Sequence, residues 1–251
     1  RGVAIAADSA VTIGNGRHHK IFNDAEKLFE LSKSHPVGIL FYNSANFMMT
    51  PWEPIVKSYR NRLESKDFEK LGEYVDDFLN YLTSQFEVLA DADTQEKFAK
   101  FFTRNIIDSV ITDTQNKFGQ LTKHEKPDDY EQYLRNVLDS HIPDNIDPKS
   151  CAIGFEDYTF EQFSIDYLAL VKSTYSEYCN LNKFKFKPEV EERFIKLIYF
   201  CLVSAGYFES YTGLVFAGFG STEIYPSLIA VEISGVFSTR LKLWPKEITT
   251  I

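Results

Sequence analysis

Cysteine is scarce in this chain. Only Cys151, Cys179 and Cys201 occur, widely spaced and with no CxxC pair. Neither a disulfide framework nor a zinc site is indicated, and the odd count suits a reducing cytosol. Positive charge is also in deficit: 27 Lys and Arg stand against 36 Asp and Glu, a formal net charge of -9. That balance argues against nonspecific binding to a phosphate backbone, which requires a basic surface. No apolar run approaches the roughly 20 residues of a bilayer span, so neither a nucleic acid nor a membrane is expected as partner. Metal and cofactor signals are missing too. His18 and His19 are adjacent, so on a strand they face opposite ways, and no carboxylate follows at ligand spacing. Asp91-Ala92-Asp93 begins like a calcium loop but lacks its glycine and terminal glutamate, and reads as helix capping.

What the chain has is apolar and aromatic bulk. It is 44% hydrophobic and 15% aromatic, with 22 Phe and 14 Tyr, enough to bury a substantial core. The first 47 residues read as β structure: GVAIAAD, AVTI, KLFELS and PVGILFYNS are short, rich in β-branched or aromatic residues, and separated by Gly, Asn and Ser clusters. GNGRHHK is read as a hairpin tip. The period then changes. Thr50-Pro51-Trp52-Glu53 has the pattern of a capping box with proline at the first helical position. Behind it Trp52, Ile55, Val56, Tyr59 and Leu63 share a helical face. Leu71, Tyr74, Val75, Phe78, Leu79, Leu82 and Phe86 mark a second helix. A third opens at Asp93 and Glu96, with Phe98, Phe101, Phe102, Val110 and Ile111 at helical spacing and Gly119 as its stop. A further helix is expected around Tyr130 to Leu138, and the helical pattern resumes from about Asp157 to Tyr207. Within it, Lys183-Phe184-Lys185-Phe186-Lys187 is a short amphipathic connector. Strand character returns in TGLVFAGFG, SLIAVEISG and VFSTRLKLW. The reading is one α+β domain divided in sequence: 1–49 its N-terminal β part, 50–211 a helical segment, and 212–251 its C-terminal strands.

Two residues are out of place in this pattern. In GVAIAAD, alternation puts Gly2, Ala4, Ala6 and Asp8 on one face, so Asp8 ends a face with little side-chain bulk. In KLFEL, Lys27 shares a face with Phe29 and Leu31 and so points toward the apolar side. An inward lysine is costly unless paired, and Asp8, at the end of its uncrowded face, is the plausible counter-ion. A turn aspartate and a snorkelling lysine would account for the same residues.

GVAIAADSAVT, followed by KLFEL and VGILFYNSAN, resembles the start of proteasome β-type subunits and their bacterial ring-peptidase relatives, members of the N-terminal-nucleophile (Ntn) hydrolases. The stretch GFGSTEIYPSLIAVEISG adds to the likeness, and together the similar pieces cover about a quarter of the chain. The resemblance implies a four-layer αββα sandwich of two antiparallel sheets, here with an enlarged helical segment. It also implies a nucleophile on the first residue of the mature chain, usually threonine, whose own α-amine (unperturbed pKa about 7.7–8.0) serves as base. By position Asp8 matches the family's aspartate and Lys27 its lysine, the ammonium favouring the alkoxide and the carboxylate holding the ammonium. Backbone N–H groups at Tyr42 and Asn43 match the loop that supplies the oxyanion donor, and Ser9 follows the aspartate as in the family, where a turn serine is an equal account.

There are departures. Arg1 is not a nucleophile, and the family pattern places one roughly nine residues upstream of it. The family usually has glycine at the position taken by Tyr42, which implies a narrower channel or a shift of one residue. Residues 50–207 exceed the two helices expected between the sets of strands. The expected activity is cleavage of amide bonds in peptides or unfolded protein. A homo-oligomeric ring, an ATP-dependent unfoldase partner, a cytoplasmic location and no cofactor go with it. The alternatives are a catalytically silent homologue acting as scaffold, and an amidase for small molecules.

Overall fold

The hydrophobic pattern resolves into strands, then helices, then strands. The structure, a computed structural model, describes residues 3–6, 11–15, 18–22, 27–121, 129–206 and 211–250, with the backbone alone for 11–15, 18–22 and 246–250. It is a mixed α+β fold whose strand pairings, among the described residues, are all antiparallel. The strands are β1 (Val11–Asn15), β2 (His18–Phe22), β3 (Leu28–Glu30), β4 (Val37–Asn43), β5 (Asn46–Phe47), β6 (Thr50–Pro51), β7 (Thr212–Gly218), β8 (Ser227–Phe237) and β9 (Arg240–Thr250). The helices are α1 (Trp52–Leu63), α2 (Leu71–Ser84), α3 (Phe86–Leu89), α4 (Ala92–Gln120), α5 (Tyr130–His141), α6 (Phe160–Asn182) and α7 (Pro188–Val203). β3-β4-β7-β8-β9 form one five-stranded sheet, while β1-β2 and β5-β6 are two-stranded. The expected hairpin at GNGRHHK is present, β1 pairing antiparallel with β2 so that His18 and His19 lie opposite Asn15 and Gly14.

The chain forms two compact units, 1–92 with 210–251, and 93–209. The stretch 50–211 is thereby shared: α1, α2 and α3 belong with the sheet, and the remaining helices form the second unit. In the first unit, β4 alternates buried Val37, Ile39 and Phe41 with half-buried Gly38, Leu40 and Tyr42, as a strand with one covered face should. The covered face carries α1 and α2. The Trp52 ring stacks on Phe41 at 5.3 Å and 17°, and Phe78 meets Phe216 edge-on at 5.5 Å. The indole N–H of Trp52 donates to Thr212 Oγ1 at 3.0 Å. The predicted face of α1, Trp52, Ile55, Val56, Tyr59 and Leu63, is its buried set.

Helix α1 starts differently from its motif. Thr50 and Pro51 pair with Phe47 and Asn46 as a short ribbon, the helix begins at Trp52, and no side chain caps it. Instead the Trp52 N–H donates to the Ala45 carbonyl at 3.1 Å, so a β-turn return replaces the capping box. Phe101 also departs from expectation: it is 47% exposed, lying off the buried stripe of α4 that runs through Phe98, Phe102, Ile106 and Ile111.

In the second unit, Tyr178 on α6 donates to Asp108 on α4 at 2.8 Å, and Arg193 on α7 to Asp139 on α5 at 2.8 Å. Tyr175 meets the Phe194 ring at 5.6 Å. The basic–aromatic run 183–187 is the α6–α7 connector. Lys183 takes a left-handed cap (φ 59), and Phe184 and Phe186 stack half-buried at 5.2 Å between exposed lysines.

Candidate functional site

Of the sequence-predicted site residues, Lys27 lies at the edge where β3 meets β4, near the strand end that carries Tyr42 and Asn43. The Phe41 N–H donates to the Lys27 carbonyl at 2.8 Å, extending by one residue the pairing of Leu28 with Leu40. Lys27 therefore sits opposite Phe41 and, on the same face of the adjacent strand, diagonal to Asn43. Lys27 is half-exposed at this edge. Asp8 and Ser9 lie outside the described residues. The segment before them alternates as predicted: Val3 and Ile5 are half-buried, Ala4 and Ala6 exposed. Ile5 reaches Gly38, where an added Cβ would come within 2.6 Å of its Cδ1.

Tyr42 and Asn43 are held differently. Because Phe41 directs its N–H to β3, strand alternation directs that of Tyr42 toward β7 and its partner Gly213. Asn43 ends the strand with φ 68, the left-handed region where glycine is favoured and asparagine tolerated. Its Nδ2 donates to the Tyr211 carbonyl at 2.9 Å.

The side chain of Tyr42 contributes to a site that sequence reasoning missed. Tyr42, Gly213, Glu232 and Trp244 are register partners across β4, β7, β8 and β9, so they form one row on the sheet face opposite α1 and α2. The Tyr42 ring lies across Gly213: a Cβ there would fall 1.9 Å from its Cζ. Only a residue without a side chain allows the phenol to cross β7 and donate to Glu232 Oε1 at 2.8 Å. From the other side the Trp244 indole N–H donates to Glu232 Oε2 at 2.6 Å. Glu232 is 4% exposed, and its two oxygens thus each hold a donor. Burial, then the bond to Glu232 and its charge, raise the Tyr42 pKa well above the ordinary phenol value. Tyr42 is a proton donor in this row and not a base. Lys242, fully buried, adds its ammonium 5.8 Å from the Trp244 ring centroid, within cation–π range.

The one sequence signal for this row was a glutamate inside the otherwise apolar strand SLIAVEISGVF. Among the described residues no group of His, Cys, Asp and Glu could hold a metal ion, and no helix is long and apolar enough to cross a membrane. Comparison with known protein families, with curated proteins and with solved structures yields no match.

Proposed function

We propose that this chain is the supporting part of a proteasome-like Ntn amide hydrolase, acting on peptides or unfolded protein. The single observation that carries the reading is the place of Lys27 opposite Phe41 at the end of β4, which by register makes Asn43 its diagonal neighbour. An ammonium and a backbone donor at one sheet edge are what an N-terminal hydroxyl needs beside it: the first favours its alkoxide, the second stabilises the oxyanion it generates. Asn43 is a better donor than Tyr42. Its positive φ is the backbone that a glycine would adopt, so the family's glycine falls on Asn43, one residue beyond Tyr42. Asp8 would complete the arrangement as counter-ion to Lys27. The five-stranded sheet would be one of two central sheets in a four-layer αββα sandwich, its half-buried face meeting the other. Ring assembly, an ATP-dependent unfoldase and a cytosolic location belong to the same proposal.

The test is the mature N-terminus of the native protein, sequenced and then treated with a β-lactone electrophile and mapped by mass spectrometry. A threonine, serine or cysteine at that terminus, roughly nine residues before Arg1 and carrying the adduct, supports the proposal. Lys27→Ala should slow its labelling. A terminus without such a residue replaces the hydrolase with a silent scaffold, and labelling indifferent to Lys27 removes that residue from the site.

A further inference from the structure

The helical unit contains a concavity that plays no part in the Lys27–Asn43 site. Its volume is about 560 Å³, and it lies between the loop after α5, the start of α6 and one face of α7. Small-molecule sites occupy about 300–1,000 Å³ and combine apolar walls with a few placed polar groups. The walls here fit that description. Phe160, a 41% exposed phenylalanine, meets Tyr199 edge-on at 5.3 Å, with Phe200 and Pro143 alongside.

The polar groups fall into two sets. Arg193 is spent on Asp139 and on the Glu189 carbonyl, and the Tyr199 hydroxyl on the Tyr158 carbonyl at 2.9 Å. Burial raises the Tyr199 pKa, so this phenol stays an occupied donor. Lys196, Asp144 and Glu192 also line the cavity. They are exposed and, among the described residues, engaged in no ion pair or side-chain hydrogen bond. Glu192 and Lys196 stand one turn apart on α7 without pairing, so an ammonium and two carboxylates remain open to a ligand around an aromatic wall.

We infer that this cavity binds a short peptide with free ends and an apolar side chain. Its carboxylate is taken by Lys196, its ammonium by Asp144 and Glu192, and its side chain by the Phe160–Tyr199 wall. A single amino acid would leave much of the volume unfilled, whereas two to four residues fill it. A purely anionic or purely cationic ligand would leave one of the two sets of open charges unanswered. The inference stands on the helical unit alone and is independent of the hydrolase reading.

The experiment is calorimetric titration of the full chain with the tripeptide Leu-Phe-Leu and with its N-acetylated and C-amidated forms. The free tripeptide should bind, and each cap should weaken binding by about tenfold, the loss of one charge-assisted hydrogen bond. Lys196→Met should abolish the penalty for C-amidation and leave that for N-acetylation. Asp144→Asn with Glu192→Gln should do the converse, all three positions being exposed and safe for folding. Phe160→Ala should weaken all forms alike. No binding of the free tripeptide, or equal binding of the capped forms, overturns the inference.

Discussion

Gly213→Ala is a change of one methyl group that should be felt across four strands. The new Cβ would lie 1.9 Å from Tyr42 Cζ, 2.0 Å from Cε1 and 2.4 Å from Cε2, where carbon atoms need about 3.5 Å. The ring cannot give by a few tenths of an ångström and stay. It must leave β7, and the 2.8 Å bond to Glu232 goes with it. A hydrogen bond to a carboxylate is worth about 1.5–3 kcal/mol, and forced repacking costs about 1–3 kcal/mol. Replacing a strand glycine by alanine returns about 0.5–1 kcal/mol. The net loss is about 2–5 kcal/mol, a downward shift in melting temperature of roughly 2–4 °C per kcal/mol for a chain of this size.

Urea denaturation followed by tryptophan fluorescence reads this directly. Gly119→Ala is the control: that glycine sits in the last turn of α4 with nothing within 4 Å of an added Cβ, so it should be neutral or stabilised by up to about 1 kcal/mol. In a Tyr42→Ala background the same Gly213→Ala change should cost less than about 1 kcal/mol, because the obstacle is gone. If Gly213→Ala matches the parent protein, or costs as much with Tyr42 removed, the crossing of β7 by the phenol is not what holds this row together.

The remaining expectations concern the neighbouring strand ends. Thr212→Val should lower stability by about 1–3 kcal/mol. It deprives the buried Trp52 indole of its acceptor and the Asn46 carbonyl of a donor at 3.2 Å; Thr212→Ser should restore most of the loss in chemical denaturation. At Asn43, glycine should be tolerated within about 1 kcal/mol and valine should cost about 1–2 kcal/mol more, since φ 68 forces a branched side chain into the left-handed region; equal stability of the two variants would refute that backbone assignment. Tyr42, Tyr59, Tyr175 and Tyr178 all have pKa values raised, chiefly by burial. A group whose folded pKa lies above its unfolded value of about 10 contributes stability that is complete below that pH and is lost as pH rises toward the folded pKa. Absorbance at the phenolate band should therefore show these four tyrosines ionising only with unfolding, on the alkaline side of the exposed ones.

The helices were legible where one residue type sufficed to mark a face. The buried side of α1 followed from spacing alone, because five apolar residues at helical period have no other way to be covered together. Its start did not, since the Thr-Pro-Trp-Glu motif competes with a strand return and the β5–β6 ribbon took Thr50 and Pro51. Phe101 shows the same limit: spacing identifies a helix, but which aromatics its neighbours cover is a tertiary matter. The strands β3 and β4 themselves were legible from KLFELS and PVGILFYNS, and their antiparallel pairing brings the Lys27 carbonyl to the Phe41 N–H. The row through Glu232 was not. Its contacts join residues 190 positions apart, and the register on β9 depends on irregularities at Ala230/Val231 and Ile233/Gly235 that no local pattern announces.

That row changes what Tyr42 means. Read as a backbone donor, Tyr42 competes with β7 for its own N–H; its side chain instead ties the end of β4 to a buried carboxylate that β9 holds from the other side. The residue after it is Asn43, the one with the unusual backbone, pinned further by its amide on the Tyr211 carbonyl. A strand end fixed through four strands, next to a left-handed residue, is costly to assemble, and a sheet that served as scaffold alone would gain as much from an apolar row in the same register. What the polar row adds is a fixed direction for the end of β4, from which the donor proposed at Asn43 would gain.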